Sequence, residues 1–460
     1  MLIHNNEKLE GGVMLSKISL NNFKSFKSLE DLDLRKLTII AGKNSCGKSS
    51  ILQSLLLLKQ SLGAKDKASL VLDGDYLTYS NLQDVSFGKP QVNHSKIGYT
   101  FETLSMKGEK VKYHVEFRNR NINGNYFPRV SELYKLTDDK KIHLNNLPSE
   151  DRIRDFLSKV LSVKSDSGSI EFTVGEIKYD AFIPDSIDVE VSLDKQGLQK
   201  IELPYMALKS VSDVYPLIKI KETISNIKYL SPVRATPDRA YVHYSLDADE
   251  LMHDGSNSAH VLWSRQGEQV FWNNSQMPLI EALSECLDTM GLSQQITPER
   301  IGDILYKVSV SDKNSKSNLT LADVGFGYSQ ILPVILLGLL SDSGSTLLLE
   351  QPEIHLHPSS SANLADLFLN FIKDERRIIV ETHSPELINR LRLRVIENPE
   401  LKDDINIVFV EPSNEGATIK QFEIDEDGMF PEWPDGFLDE SEKILRAIME
   451  ARLNKANDEW

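Results

Sequence analysis

Cysteine is scarce in this chain: only Cys46 and Cys286 occur among 460 residues. Two thiols cannot build a disulfide framework, so a reducing compartment, the cytoplasm, is expected. Long apolar runs are missing as well. The longest, Ile331 to Leu340, is interrupted by Pro333 and falls short of the ~20 residues that a membrane-spanning helix needs. The opening MLIHNNEKLEGG lacks a basic cluster followed by an apolar core, so it does not read as a secretory leader. Residues 1–13 are expected to be a disordered extension, or else the product of a start codon placed too early. Positive charge is in deficit, with 52 Lys and Arg against 68 Asp and Glu and a net charge of −16. A surface that coats nucleic acid everywhere is thereby disfavoured, while a local basic groove stays open. Internal repeats and sustained heptads are absent, which argues against an extended coiled coil.

What is present is enough for a folded protein of two or three lobes. Apolar residues make up 40% of the chain, with 17 Phe, 14 Tyr and 4 Trp. Leu15 to Leu20 alternates like a strand, and Leu37 to Ala41 is a continuous apolar run of buried-strand length. Gly42 to Ser49 breaks that run, and a helix is expected from Ser50 to Lys59. Residues 70–230 are rich in strand patterns, including Ile97 to Phe101 and Val111 to Phe117. Helices are expected near Ala259 to Trp263, Leu279 to Met290 and Pro298 to Tyr306. The last third then alternates: helix 328–340, strand 346–350, helix 359–373, strand 377–381, helix 385–393, strand 405–411. Such alternation implies an α/β fold with a mainly parallel sheet.

Several clusters carry chemistry. Gly42-Lys-Asn-Ser-Cys-Gly-Lys48-Ser49 matches G-x-x-x-x-G-K-[ST] between a strand and a helix. Gly42, Asn44, Ser45, Gly47 and Ser50 form a loop and helix start whose backbone N–H groups can close on phosphate oxygens. Lys48 reaches the β and γ phosphates, and the Ser49 hydroxyl takes Mg²⁺. Cys46 is either a small residue that fits or a thiol activated by the helix N-terminus. Glu350 ends the apolar strand Thr346 to Glu350 and is placed to hold the metal. The following Gln351 can orient water but accepts no proton at neutral pH. Glu353 is either a helix-start carboxylate or a catalytic one, and Glu381 offers a further carboxylate at the end of the next strand. His383 is placed to hydrogen-bond a γ-phosphate, against the plainer reading of a structural strand-end histidine. His355 and His357 alone are too few for a zinc site. Gly325, Gly327, Ser329 and Gln330 open a helix as a phosphate-binding end without a lysine, suited to cover nucleotide held by another copy; the alternative is a turn that merely caps the helix.

In order, NNFKSF, GKNSCGKS, a late helix-opening segment, EQPE and ETHSP resemble an ABC-type ATPase of the SMC and RecF branch. The runs LADVGFGYSQILP, EQPEIHLHP, ETHSPELINRLR and WPDGFLDE resemble more closely the bacterial AAA-type proteins that carry the domain of unknown function 3696. Tyr229 to Arg234 and Arg239 to Tyr241 resemble the middle segment of that family. The resemblance implies a P-loop NTPase of the ABC/SMC-head type: two lobes with a strand-rich middle insertion, using ATP and Mg²⁺. It implies lobe I at 14–110, an insertion at 111–228, a helical connector at 229–320, lobe II at 321–425 and a C-terminal segment with a helix at 426–460. It further implies a homodimer in which Ser329 and Gly327 of one copy close on nucleotide held by the other. Asn22 to Lys24 are expected near that nucleotide, with Lys24 as the contact, and Gln83 is a candidate for the Q-loop glutamine beside the metal.

Functional expectations follow. ATP hydrolysis is expected to be slow, because Gln351 stands where most relatives have the general base. Residues 384–460 leave little room for a nuclease domain, so cleavage is expected of a partner, such as an HNH nuclease encoded nearby in an antiphage system of the Septu kind. The competing expectation is a RecF-like DNA clamp with Lys107, Lys110, Lys112, Arg118 and Arg120 along a groove, unless these charges simply mark a solvated face. The ATPase subunit of a transporter is the third, disfavoured because Gly325 follows Lys48 at so long a distance.

Overall fold

The structure is a computed structural model that describes residues 14–62, 69–104, 110–137, 140–160, 171–193, 197–242, 250–292, 294–312, 318–430, 443–444 and 446–452. The expected N-terminal extension, Lys107 and the WPDGFLDE run lie outside these residues. The chain divides into two compact units, one of residues 35–49, 228–412 and 419 onward, the other of residues 14–34, 50–227 and 413–418.

The first unit is built on a six-stranded sheet. Its elements are β1 (Leu37–Gly42), the start of α1 (Lys48–Ser61), β2 (Ile227–Leu230), α2 (Phe326–Leu340), β3 (Thr346–Glu350), α3 (Pro358–Lys373), β4 (Arg377–Glu381), α4 (Pro385–Glu397), β5 (Ile405–Ser413) and β6 (Gly416–Phe422). The strand order is β2-β3-β4-β1-β5-β6, and the β3/β4, β4/β1 and β1/β5 pairs are parallel. Leu347 to Leu349, Ile378 to Val380 and Ile39 to Ala41 are buried without alternation, as expected of parallel strands covered on both faces. The register pairs Glu350 with Glu381 and Glu381 with Ile40, so three strands end along one edge.

Helix α2 is buried from Ser329 to Leu339. A Cβ at its Gly338 would fall 2.1 Å from the Phe371 ring. That ring is backed by Trp272 at 5.4 Å and Arg376 at 5.8 Å, so it has nowhere to retreat. Gly338→Ala should therefore lose about 1–3 kcal/mol by overpacking instead of gaining the ~1 kcal/mol of an ordinary helix position, as read by urea unfolding.

The segment expected as a helix at Pro298 to Tyr306 is instead part of a hairpin, Gln294–Arg300 paired with Leu305–Asp312. Pro298 read as a helix start, yet Tyr306, Val308 and Val310 bury every second side chain, which is the strand period. The helical connector expected at 229–320 accordingly holds an antiparallel sheet, with Tyr241–Val242 and Asn318–Thr320 joined to the hairpin, beside helices Ser258–Arg265 and Leu279–Thr289.

The other unit carries an antiparallel sheet in the order Phe26–Asp33, Met14–Phe23, Lys96–Leu104, Lys110–Ile122, Asn125–Thr137, Lys140–His143. Ile97, Tyr99, Phe101, Tyr113, Val115 and Phe117 alternate inward on neighbouring strands. The lobe boundary expected at 110 thus falls where a strand begins that continues the lobe I sheet. A separate three-stranded sheet, Gly197–Pro204, Ile183–Leu193 and Glu171–Asp180, packs with helices missed by the strand pattern, Glu150–Val160 among them. Three of the five cations of the expected groove are partnered: Lys112 with Asp31 at 2.8 Å, Arg118 with Glu116 at 2.5 Å, and Arg120 with Glu176 at 2.9 Å.

Candidate functional site

The glycine loop leaves β1 at Gly42, whose φ of +145° and a Cβ position 2.5 Å from the Val410 carbonyl oxygen admit only glycine. Ser45 and Gly47 also take positive φ, at 61° and 110°, which turns successive N–H groups toward one concavity. Lys48 opens α1 and is 4% exposed. Its ammonium donates to the loop's own carbonyls, Lys43 O at 2.7 Å and Gly42 O at 3.1 Å. Asn44 and Ser45 stand exposed on the rim. Cys46 is buried, and burial pushes its thiol up in pKa despite the Lys48 charge, which overturns the activated-thiol alternative.

Beside the loop lie the acidic strand ends. Ser49 donates a hydrogen bond to the Glu381 carboxylate, and Lys48 acts on the same group electrostatically. Burial nevertheless raises the Glu381 pKa. Glu350, its register partner, is buried and accepts at Oε1 from the Tyr229 hydroxyl at 2.8 Å. Gln351 adopts a φ of +44° and donates its N–H to the Glu381 carbonyl at 2.8 Å. Glu353 accepts the His383 N–H at 2.7 Å, and burial raises its pKa too. Partial burial and the charge of Lys48 lower the His383 pKa, which favours its neutral imidazole. Ser384 then caps α4 by accepting the Leu387 N–H at 3.1 Å. His357 likewise caps α3, accepting from Ser359 N–H, and among the described residues His355 and His357 belong to no group of three or more metal-binding side chains.

At the start of α2, Gly325 is the cap and Gly327 lies over the His355 carbonyl. Ser329 and Gln330 are buried, and the Ser329 hydroxyl donates to Phe326 O at 2.9 Å inside its own helix. Phe326 projects, 59% exposed, with its ring beside that of His355. Lys24, Ser50 and Gln83 belong to the other unit. There Lys24 donates to Gln53 and Tyr79, Ser50 meets the Ser25 hydroxyl at 3.3 Å, and Gln83 donates to Lys89 O.

Two site residues had no assigned role in the sequence: Tyr229, which holds Glu350, and Arg234, which donates from Nη2 to the Glu350 carbonyl at 3.3 Å. Their signal was the resemblance of Tyr229 to Arg234 to the family's middle segment, which assigns neither residue a role. The assembled groups suit a Mg²⁺-bound polyphosphate. Oxygen donors from Ser49 and Glu350 match a hard cation, the Lys48 ammonium rests only on carbonyls of its own loop, and Glu381 Oε2 is buried with no hydrogen-bond partner.

Residues 37–389 match the family described as "AAA domain, putative AbiEii toxin, Type IV TA system", and residues 402–448 match a "Protein of unknown function (DUF3696)". Over 242 residues, 47% of the chain, it is 27% identical to the chromosome partition protein Smc of Methanocaldococcus jannaschii, of which it covers 20%. Over 187 residues, 40% of the chain, it is 26% identical to the energy-coupling factor transporter ATP-binding protein EcfA of Methanosphaera stadtmanae, of which it covers 61%. The chain therefore spans about a fifth and about three-fifths of these two relatives. The solved Smc head bound to the C-winged helix domain of ScpA aligns with 89% of this chain and 98% of that one at 13% identity and a TM-score of 0.43. The SMC head domain from Thermotoga maritima aligns with 89% and 99% at 12% identity and 0.40. The first match runs through most of the chain, which belongs to that AAA-domain family and has its α/β P-loop NTPase fold.

Proposed function

We propose that this AAA-domain protein binds and slowly hydrolyses ATP as a two-copy, nucleotide-gated switch controlling a separate effector. The observation that carries this reading is the placement of Lys48 and Ser49 against Glu381, whose register partner on the neighbouring strand is Glu350, at one sheet edge. The loop N–H groups of Gly42 to Lys48 take phosphate oxygens, and Lys48 exchanges its carbonyl partners for the β and γ phosphates. Ser49 and Glu350 would hold Mg²⁺, which neutralises phosphate charge. The His383 imidazole donates to the γ-phosphate. Gln351 orients water without taking its proton, which keeps turnover low.

Gly325, Gly327, Ser329 and Gln330 of a second copy close over the nucleotide. The exposed Phe326 at the head of α2 supports a contact face there. The net charge of −16 and the ion pairs of Lys112, Arg118 and Arg120 weigh against a DNA groove and favour a protein effector, with an HNH nuclease as the class we expect. The family description, "putative AbiEii toxin, Type IV TA system", supports a role in defence, which we place in antiphage defence; the two lone cysteines support the cytoplasm as its compartment. Among the described residues no helix is long and apolar enough to cross a membrane.

Light scattering after gel filtration with and without ATP tests the composite site. Ser329→Arg places a charge at a buried position of the closing helix and should weaken ATP-dependent dimerisation at least ~10-fold, a change of about 1.4 kcal/mol, while each copy still binds ATP. Unchanged dimerisation would remove α2 from the site.

A further inference from the structure

Arg234 is 7% exposed, just beyond β2. Nη2 reaches the Glu350 carbonyl, whereas Nε and Nη1 are buried without any hydrogen-bond partner. Glu353 is in the matching position: Oε1 accepts the His383 N–H, and Oε2 is buried without a partner. The two charges act on one another electrostatically, yet these atoms share no hydrogen bond. An incompletely satisfied buried ion pair costs several kcal/mol, and an apolar pair of similar volume often serves stability better. Stability therefore gives no reason for this arrangement, and its place beside Glu350 and Gln351 points to the reaction.

Two carboxylates compete for the proton that Gln351 cannot take. Glu381 is hydrogen-bonded to Ser49 and faces Lys48, so it belongs to the phosphate and metal side. Glu353 lies off that side, and, like Glu381, it keeps one buried oxygen, Oε2, without a hydrogen-bond partner among the described residues. The charged groups around it are Arg234, which attracts its carboxylate, and Glu381, which repels it; it also accepts the backbone amide N–H of His383.

We propose that Glu353 is the proton acceptor of ATP hydrolysis and that Arg234 is its positioning residue, drawing the carboxylate into line through charge. This rests on the ATPase reading above. The water oxygen forms a bond to the γ-phosphorus while the bond from that phosphorus to the β–γ bridging oxygen breaks. ADP leaves with the electron pair, and the water proton passes to Glu353 Oε2 and then to solvent.

The test compares wild type, Glu353→Gln, Arg234→Gln, Arg234→Lys and the double variant Arg234→Gln/Glu353→Gln. Phosphate release, affinity for a fluorescent N-methylanthraniloyl ATP and melting temperature are read for each. Glu353→Gln should lower kcat about 100-fold or more, the ordinary range for a general base. Arg234→Gln should lower kcat by about 10-fold or more, with nucleotide affinity within about twofold of wild type, and Arg234→Lys should recover part of the loss. In the Glu353→Gln background the arginine change should have no further effect, which a merely structural arginine would not produce. Losses that multiply in the double variant, affinity that falls in step with turnover, or full turnover in Glu353→Gln would each overturn the proposal. If Arg234→Gln melts far below wild type, Arg234→Lys in the Glu353→Gln background carries the same comparison. Failure of wild type to bind the fluorescent nucleotide would instead defeat the ATPase reading itself.

Discussion

Lys48→Ala should abolish measurable ATP binding while leaving the fold intact. The ammonium donates to two carbonyls of the glycine loop, so a nearly buried charge is held at the loop by neutral partners. On binding, neutral carbonyl partners are exchanged for anionic phosphate oxygens. Charge-assisted hydrogen bonds contribute about 1.5–3 kcal/mol each. Loss of two such bonds corresponds to roughly 100- to 10,000-fold in affinity at about 1.4 kcal/mol per tenfold. The sheet itself does not depend on this side chain: Ile39 and Ile40 of β1 are fully buried and paired on both sides by β4 and β5. Titration with a fluorescent ATP analogue, alongside a melting curve, reads both halves of the expectation. Tight binding retained by Lys48→Ala would mean that the loop does not hold the triphosphate.

The sheet core and the loop were legible because each has a local cause. Leu37 to Ala41, Thr346 to Glu350 and Ile378 to Glu381 are short apolar runs that end in polar residues, and they become neighbouring parallel strands ending at one edge. Gly42 and Gly47 mark backbone conformations that side chains resist. The rest was less local. Pro298 suggested a helix start, but pairing of Ile296 with Val310 across a hairpin decided the matter, and strand pairing of this kind is set by a distant partner. The apparent insertion after residue 110 joins an existing sheet because Tyr113, Val115 and Phe117 share the inward phase of Ile97, Tyr99 and Phe101, a match that appears only once the register is known. Arg234 and Tyr229 escaped assignment for the same reason. They lie more than a hundred residues from Glu350 in sequence, and nothing in YLSPVR announces which carboxylate they will meet.

Arg376→Ala should produce the largest loss of stability, about 3–5 kcal/mol, the range for breaking a buried ion pair by removing one partner. Arg376 is 3% exposed and joins four places in one unit. Nη1 bonds Asp374 at 3.3 Å, Nε bonds Ser341 O at 3.0 Å beyond the end of α2, Nη2 bonds Phe271 O at 3.2 Å, and the guanidinium lies over the Phe371 ring. Alanine would strand two carbonyls and leave the Asp374 carboxylate buried without its countercharge, with Oδ1 already lacking a hydrogen-bond partner. Removing that charge as well should therefore help: Asp374→Ala in the Arg376→Ala background is expected to return part of the loss, whereas Asp374→Ala alone destabilises. Urea unfolding of the four proteins measures this cycle, and simple addition of the two single losses would show that the pair is not coupled. The site should survive until the unit unfolds. Strand β4 is held next to Arg376 by its own backbone bonds, Arg377 N–H to Ser345 O at 2.9 Å and Ile378 N–H to Lys36 O at 2.7 Å, so Glu381 stays aligned with Glu350. Nucleotide affinity of Arg376→Ala at low temperature should accordingly match wild type even as its unfolding midpoint falls, which separates a residue that holds the fold from the residues that hold the phosphate.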